Sequence, residues 1–153
     1  MKNTMLILLL CLCALALAAC SGSADTAIPQ ATAPAQAERP VDLDLSVLSG
    51  TVVYSQVFDM QENPDAYLGQ RVKMKGSFNY FQDPDTKKEY FATVIADATA
   101  CCAQGIEFVW AGNHSYPQDY PELDSEITVT GTFGTYEEEG YTYLQLSDAD
   151  VSW

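Results

Sequence analysis

The feature that most constrains this chain is a seven-residue pattern that occurs twice. Val72-Lys-Met-Lys-Gly-Ser-Phe78 and Ile127-Thr-Val-Thr-Gly-Thr-Phe133 both read apolar-x-apolar-x-Gly-x-Phe. Period-two alternation is the mark of a β-strand with one buried face. In each copy the glycine falls on the apolar side, in mid-strand. Glycine there weakens a strand, so its position implies a bulge, a sharp bend or a close approach of another backbone. Two such strands argue for a sheet that bends strongly enough to close on itself.

A second strand, Tyr90 to Ile95, is marked by its aromatic and β-branched residues. Two further segments alternate as the template does. Ile106, Phe108 and Trp110 alternate with Glu107 and Val109. Thr142, Leu144 and Leu146 alternate with Tyr141, Tyr143 and Gln145. Asp83-Pro84-Asp85 is a turn signal between the first two strands, and Glu137-Glu138-Glu139-Gly140 reads as a solvated hairpin tip between the last two. Ahead of them, Val53, Val57 and Met60 recur at helical spacing in a short helix that Asn63-Pro64-Asp65 ends. Tyr67-Leu68-Gly69 then turns the chain into the first strand. The expectation is an all-β domain with one short N-terminal helix, a five-stranded OB-like Greek-key barrel. A five-stranded sheet packed on a helix is the alternative.

The start of the chain predicts location. Lys2 is followed by an apolar run, Met5 to Ala19, too short for the roughly 20 residues of a membrane-spanning helix. It closes on Leu17-Ala18-Ala19-Cys20, small residues followed by a cysteine, as at a signal-peptide cleavage site. These four residues resemble the lipobox of bacterial lipoproteins, which implies cleavage before Cys20 and a diacylglyceryl group on its thiol. Two acyl chains anchor stably where one would be marginal, at about 0.8 kcal/mol per buried methylene. Residues 1–19 are thus read as a signal peptide and 20–43 as a lipidated flexible tether, poor in large apolar residues. Residues 44–153 form the domain. The expected location is the extracytoplasmic face of the cell membrane, where the lipid anchor is the membrane contact.

The full chain carries a formal net charge of −14. That opposes nucleic-acid binding, which depends largely on neutralising phosphates. The expectation is no nucleic-acid partner, and the acidity is read as a source of solubility.

Cleavage removes Cys11 and Cys13, and lipidation occupies Cys20. Cys101 and Cys102 alone would remain as thiols, in Asp97-Ala-Thr-Ala-Cys-Cys-Ala-Gln-Gly105. Three readings of the pair stay open. Cysteine packs well as a small buried hydrophobe. Thiolates also bind zinc or copper(I), here with help from His114, Asp97 or another carboxylate. A disulfide between neighbours would be strained and easily reduced, because adjacent Cα atoms lie about 3.8 Å apart, short of the usual span of about 4.4–6.8 Å.

The same segment through Phe108, with Asn63-Pro-Asp-Ala-Tyr-Leu-Gly-Gln-Arg-Val-Lys-Met-Lys-Gly76, resembles small OB-fold lipoproteins of Gram-positive bacteria. The cysteine run is also similar to the C-terminal domain of membrane proteins encoded beside metal-ion permeases. The resemblance implies a non-enzymatic envelope protein, with Asp97, Cys101, Cys102 and Gly105 as the shared residues. It adds weight to metal binding, and an envelope protein or metal transporter becomes the expected partner.

His114, in Gly112-Asn-His-Ser-Tyr-Pro117, reads first as an exposed loop residue. Tyr116, Tyr120, Tyr136, Tyr141 and Tyr143 could form an aromatic surface for sugar or peptide. With one histidine in the chain, no nucleophilic triad can be assembled. The function expected is a membrane-tethered extracytoplasmic binding module for a transition-metal ion or an envelope partner, acting through the Cys101–Cys102 region. A thiol-redox protein and a purely structural interaction domain are the alternatives.

Overall fold

The computed structural model describes residues 39–97 and 102–153. The signal segment, Cys20, most of the tether and Cys101 lie outside the described residues. The elements are β1 (Leu43–Asp44), α1 (Gly50–Glu62), a 3-10 turn (Pro64–Ala66), β2 (Arg71–Gln82), β3 (Glu89–Ala96), β4 (Ala103–Trp110), β5 (Glu126–Glu138) and β6 (Tyr141–Ser152). No described helix is long and apolar enough to cross a membrane.

Five long strands close into a ring. Around it the order is β2-β3-β4-β6-β5, and β5 pairs back onto β2. All these pairings are antiparallel except β4 with β6, which is parallel. The chain therefore leaves β4, crosses to β5 beside β2, and returns through β6 to fill the gap. That is the Greek-key closure expected from the sequence. A sixth strand, β1, adds two residues in parallel to β2. It was not foreseen, and it moves the start of the folded domain. The Asp42 N–H donates to the Arg71 carbonyl at 2.8 Å, and the Arg39 guanidinium reaches the Thr132 hydroxyl at 2.7 Å. The boundary expected at residue 44 thus falls inside ordered structure. Two residues offer too little periodicity to register as a strand.

The alternating pattern delivers the core. Val72, Met74 and Phe78 from β2 meet Ile127, Val129 and Phe133 from β5, with Ile106 and Phe108 from β4 and Leu146 and Ala149 from β6, all buried. The predicted stripe Val53, Val57 and Met60 on α1 is buried against the same core. Each large side chain here contributes roughly 1.5–3 kcal/mol by leaving water.

The two template glycines are explained by close approach. A Cβ on Gly76 would lie 2.5 Å from the Val94 carbonyl oxygen and 2.8 Å from the Thr93 hydroxyl. One on Gly131 would lie 2.9 Å from the Cβ of Leu146. Opposite Gly131 the β5–β6 register slips between Thr130 and Thr132, and β6 accommodates the extra residue at Asp148 with φ 47°. The bulge is therefore on the partner strand, and the glycine gives it room.

The loop from β4 to β5 folds back over the barrel. Tyr120 stacks on Phe91 with ring centroids 4.3 Å apart, and Tyr116 stacks on Tyr80 at 3.9 Å. Both rings also contact Phe78. These two tyrosines are a lid on the core and leave the aromatic surface considered above.

Candidate functional site

Two regions bear on function, and they are built differently. The first is the cysteine loop. The β3–β4 ladder runs to Ala96 opposite Ala103, and the Asp97 N–H then donates to the Cys102 carbonyl at 2.9 Å. Asp97 and Cys102 thus face each other across the end of the hairpin, where opposed Cβ atoms lie about 4.5–5.5 Å apart. Cys102 is exposed, so a buried, packed role does not describe it. His114 follows the other end of β4. Trp110 lies eight residue steps beyond Cys102, roughly 26 Å along an extended strand. There the His114 ring lies flat on Trp110, centroids 3.5 Å apart, with Nε2 2.9 Å from the Ala111 carbonyl. The structure brings Asp97 and Cys102 together and places His114 beyond the other end of β4, as the exposed loop residue that its surroundings in the sequence indicated. Among the described residues no three histidine, cysteine or acidic side chains gather as a ligand set.

The second region is a groove on the outside of the barrel. On β3 and β4 the outward positions include Tyr90, Ala92 and Glu107. The β5–β6 hairpin runs on past the ring, with Tyr136 paired to Tyr143 and Glu138 to Tyr141. This arm brings its carboxylates to the start of β3. Glu139 and Gly140 make the tight turn at its tip with φ of 50° and 83°, the left-handed geometry of a two-residue hairpin. Between arm and face lie two adjoining cavities. One, of about 240 Å³, is walled by Phe81, Asp83, Tyr90, Glu107, Glu138 and Tyr143 among others. The other, of about 440 Å³, extends from Lys88 and Tyr136 to Trp110. Tyr90 and Glu107 line both.

A polar network sets the middle of the groove. The Lys88 ammonium donates to Glu138 Oε1 at 2.6 Å, and the Tyr90 hydroxyl donates to Glu138 Oε2 at 2.8 Å. The same ammonium stands 4.8 Å from the Tyr90 ring centre and 5.2 Å from that of Tyr136. The Tyr136 hydroxyl donates to Glu107 Oε2 at 2.6 Å. Hydrogen bonds from Lys88 and then Tyr90 hold the Glu138 carboxyl below its ordinary range. Burial pushes Glu107 the other way, above the usual carboxylate value, against the opposing hydrogen bond from Tyr136. Burial, then the bond to Glu107, raises the Tyr136 phenol strongly. Two carboxyl groups whose environments shift them in opposite directions, Glu107 upward and Glu138 downward, therefore share a wall with two tyrosines. Phe81 and Tyr143 expose their rings beside them, at 56% and 38% of full exposure. Such a surface can grip apolar stems and cationic heads together.

Of the tyrosines singled out in the sequence, Tyr136 and Tyr143 belong to this groove, and Tyr120 lines its far end beside Trp110 and His114. Glu138 belongs to it as well and is no mere solvated tip. Lys88, Tyr90 and Glu107 were missed as site residues. Glu107 did leave a signal, being a carboxylate between Ile106 and Phe108 in mid-strand. Lys88 left none, since its partner is fifty residues away. A scan against protein-family models gives no match to this chain, and neither does a comparison with curated proteins.

Proposed function

We propose that the chain is a non-enzymatic, membrane-tethered extracytoplasmic binding module whose groove holds an extended, basic segment of an envelope partner protein. The observation that carries this reading is the composition of the groove. Exposed rings at Phe81 and Tyr143 share one cleft with the carboxyl groups of Asp83, Glu107, Glu138 and Glu139. In barrels of this type the face of the corresponding two strands, with the loops flanking it, is where chain-like ligands lie. The acidic lining argues against nucleic acid and favours a ligand of opposite charge. Lipidation at Cys20 would keep the groove at the membrane surface, within reach of envelope partners.

The test is chemical-shift mapping with an isotope-labelled Cys20→Ser chain and extended lysine-rich peptides. Shifts confined to Phe81, Tyr90, Glu107, Glu138 and Tyr143 support the reading. Shifts spread evenly over the acidic surface refute it.

A second reading has its own observation. Asp97 and the exposed Cys102 oppose each other at the hairpin end, which favours a thiolate–carboxylate site for zinc, or redox chemistry of the Cys101–Cys102 pair. Zinc titration of the reduced chain against Cys101→Ser/Cys102→Ser separates these. Equal, weak binding by both proteins removes the metal, and a measurable two-electron potential supports the redox role.

A further inference from the structure

The groove already contains a cation, and it belongs to the chain itself. Lys88 places its ammonium beside the rings of Tyr90 and Tyr136, at 4.8 and 5.2 Å, and against Glu138 at 2.6 Å. This is a cage of the kind that recognises ligand ammonium groups: aromatic rings within about 6 Å and an anionic partner. We infer that this cage is the specificity pocket of the groove, built for a lysine-like ammonium of the ligand, and that Lys88 is an internal occupant which the ligand displaces.

Three observations distinguish this from an ordinary surface ion pair. The Lys88 side chain is 48% exposed while Glu138 is 28% exposed, so the cation is the accessible, exchangeable member and the carboxylate is the fixed one. The anion is also held independently of the lysine, because the Tyr90 hydroxyl donates to its second oxygen at 2.8 Å. Removing the lysine therefore leaves a preorganised seat. Finally, the cage opens onto the two cavities, giving an incoming chain a path from the exposed rings to the carboxylate. Lys88 sits directly after the β2–β3 turn, in which Lys87 takes a left-handed φ of 63°. Swinging its side chain outward needs no change in the strands. Exposed pairs are individually weak, so an external ammonium can compete with the internal one.

The inference rests on the groove being the binding site and goes further by naming what its central pocket reads. The experiment uses the full chain carrying Cys20→Ser, with Lys88→Ala, Lys88→Met and Lys88→Ala/Glu138→Gln variants. The probes are Nα-acetyl-lysine methylamide and its norleucine counterpart, followed by the ring resonances of Tyr90 and Tyr136. Thermal unfolding of each variant is recorded alongside. The expected result is roughly tenfold tighter binding of the lysine probe by both Lys88 variants than by the unaltered pocket. The gain should vanish in the Glu138→Gln double variant, and the norleucine probe should show no such gain. If the lysine probe binds the Lys88 variants no more tightly, or both probes gain equally, the cage is not a cation-recognition pocket. Long basic peptides would still map to the groove in that event if the broader reading holds, so the two failures are distinguishable.

Discussion

Replacing Gly76 with alanine adds one methyl group at the most crowded point of the barrel. Its Cβ would lie 2.5 Å from the Val94 carbonyl oxygen and 3.1 Å from the carbonyl carbon, whereas ordinary contact begins near 3.4 Å. The obstacle is backbone, and β3 is fixed by ladders to β2 on one side and β4 on the other. Relief requires β3 to move and to weaken at least one ladder hydrogen bond. Overpacking costs about 1–3 kcal/mol and the lost bond about 1 kcal/mol, so Gly76→Ala should destabilise by about 2–4 kcal/mol. At about 4–8 °C per kcal/mol for a domain near this size, Tm should fall by roughly 8–30 °C. Gly134 is the control. It lies in β5 with nothing within 4 Å of an added Cβ, so Gly134→Ala should be neutral or stabilising by about 0.4–1 kcal/mol. Calorimetry and urea titration of both variants measure this. Equal stability of the two would refute the argument that close approach of β2 and β3 fixes the glycine.

Two other outcomes follow from the same structure and a third from the proposed lipid anchor. Tyr120→Ala removes the half-buried ring stacked on Phe91 and should cost about 1.5–3 kcal/mol, seen in denaturant melts with a loss of near-ultraviolet dichroism. The raised Glu107 carboxyl means that the fold prefers its protonated form, so its contribution is full below the ordinary value of 4.5 and is lost as pH rises through the raised one. Glu107→Gln should therefore be more stable than the natural chain at pH 7, and the difference should shrink below pH 4.5, as urea melts at the two pH values will report. Cys20→Ser should move the protein from the membrane fraction to the soluble one, since a single signal of two acyl chains is the proposed anchor.

The barrel could be read from the sequence because its signals are local. Alternation over five to seven residues defined four of the long strands, aromatic and β-branched content defined β3, and the stripe Val53, Val57 and Met60 defined the helix. Gly76 and Gly131 marked the places where backbones crowd. What escaped was long-range or short. Two residues, Leu43 and Asp44, gain strand geometry only because the edge of β2 is there to receive them. Tyr116 and Tyr120 looked like surface tyrosines, and tertiary packing over Phe78 and Phe91 made them a lid. The groove depends on the β5–β6 hairpin curling over β3, which places Glu138 against Lys88 across fifty residues. No periodicity encodes that meeting. His114 was legible too: its Gly-, Asn- and Pro-containing segment marked an exposed loop residue, and it lies exposed beyond the end of β4 farthest from Cys102.

The measurement that bears most directly on the central claim is the chemical-shift map of the labelled chain with an extended lysine-rich peptide, repeated with Tyr143→Ala/Phe81→Ala. Binding that perturbs Tyr90, Glu107, Tyr136 and Glu138, and that weakens at least fivefold when the two exposed rings are removed, is the predicted result. Binding that maps to the Asp97–Cys102 end of the hairpin, or that ignores the loss of both rings, would contradict it.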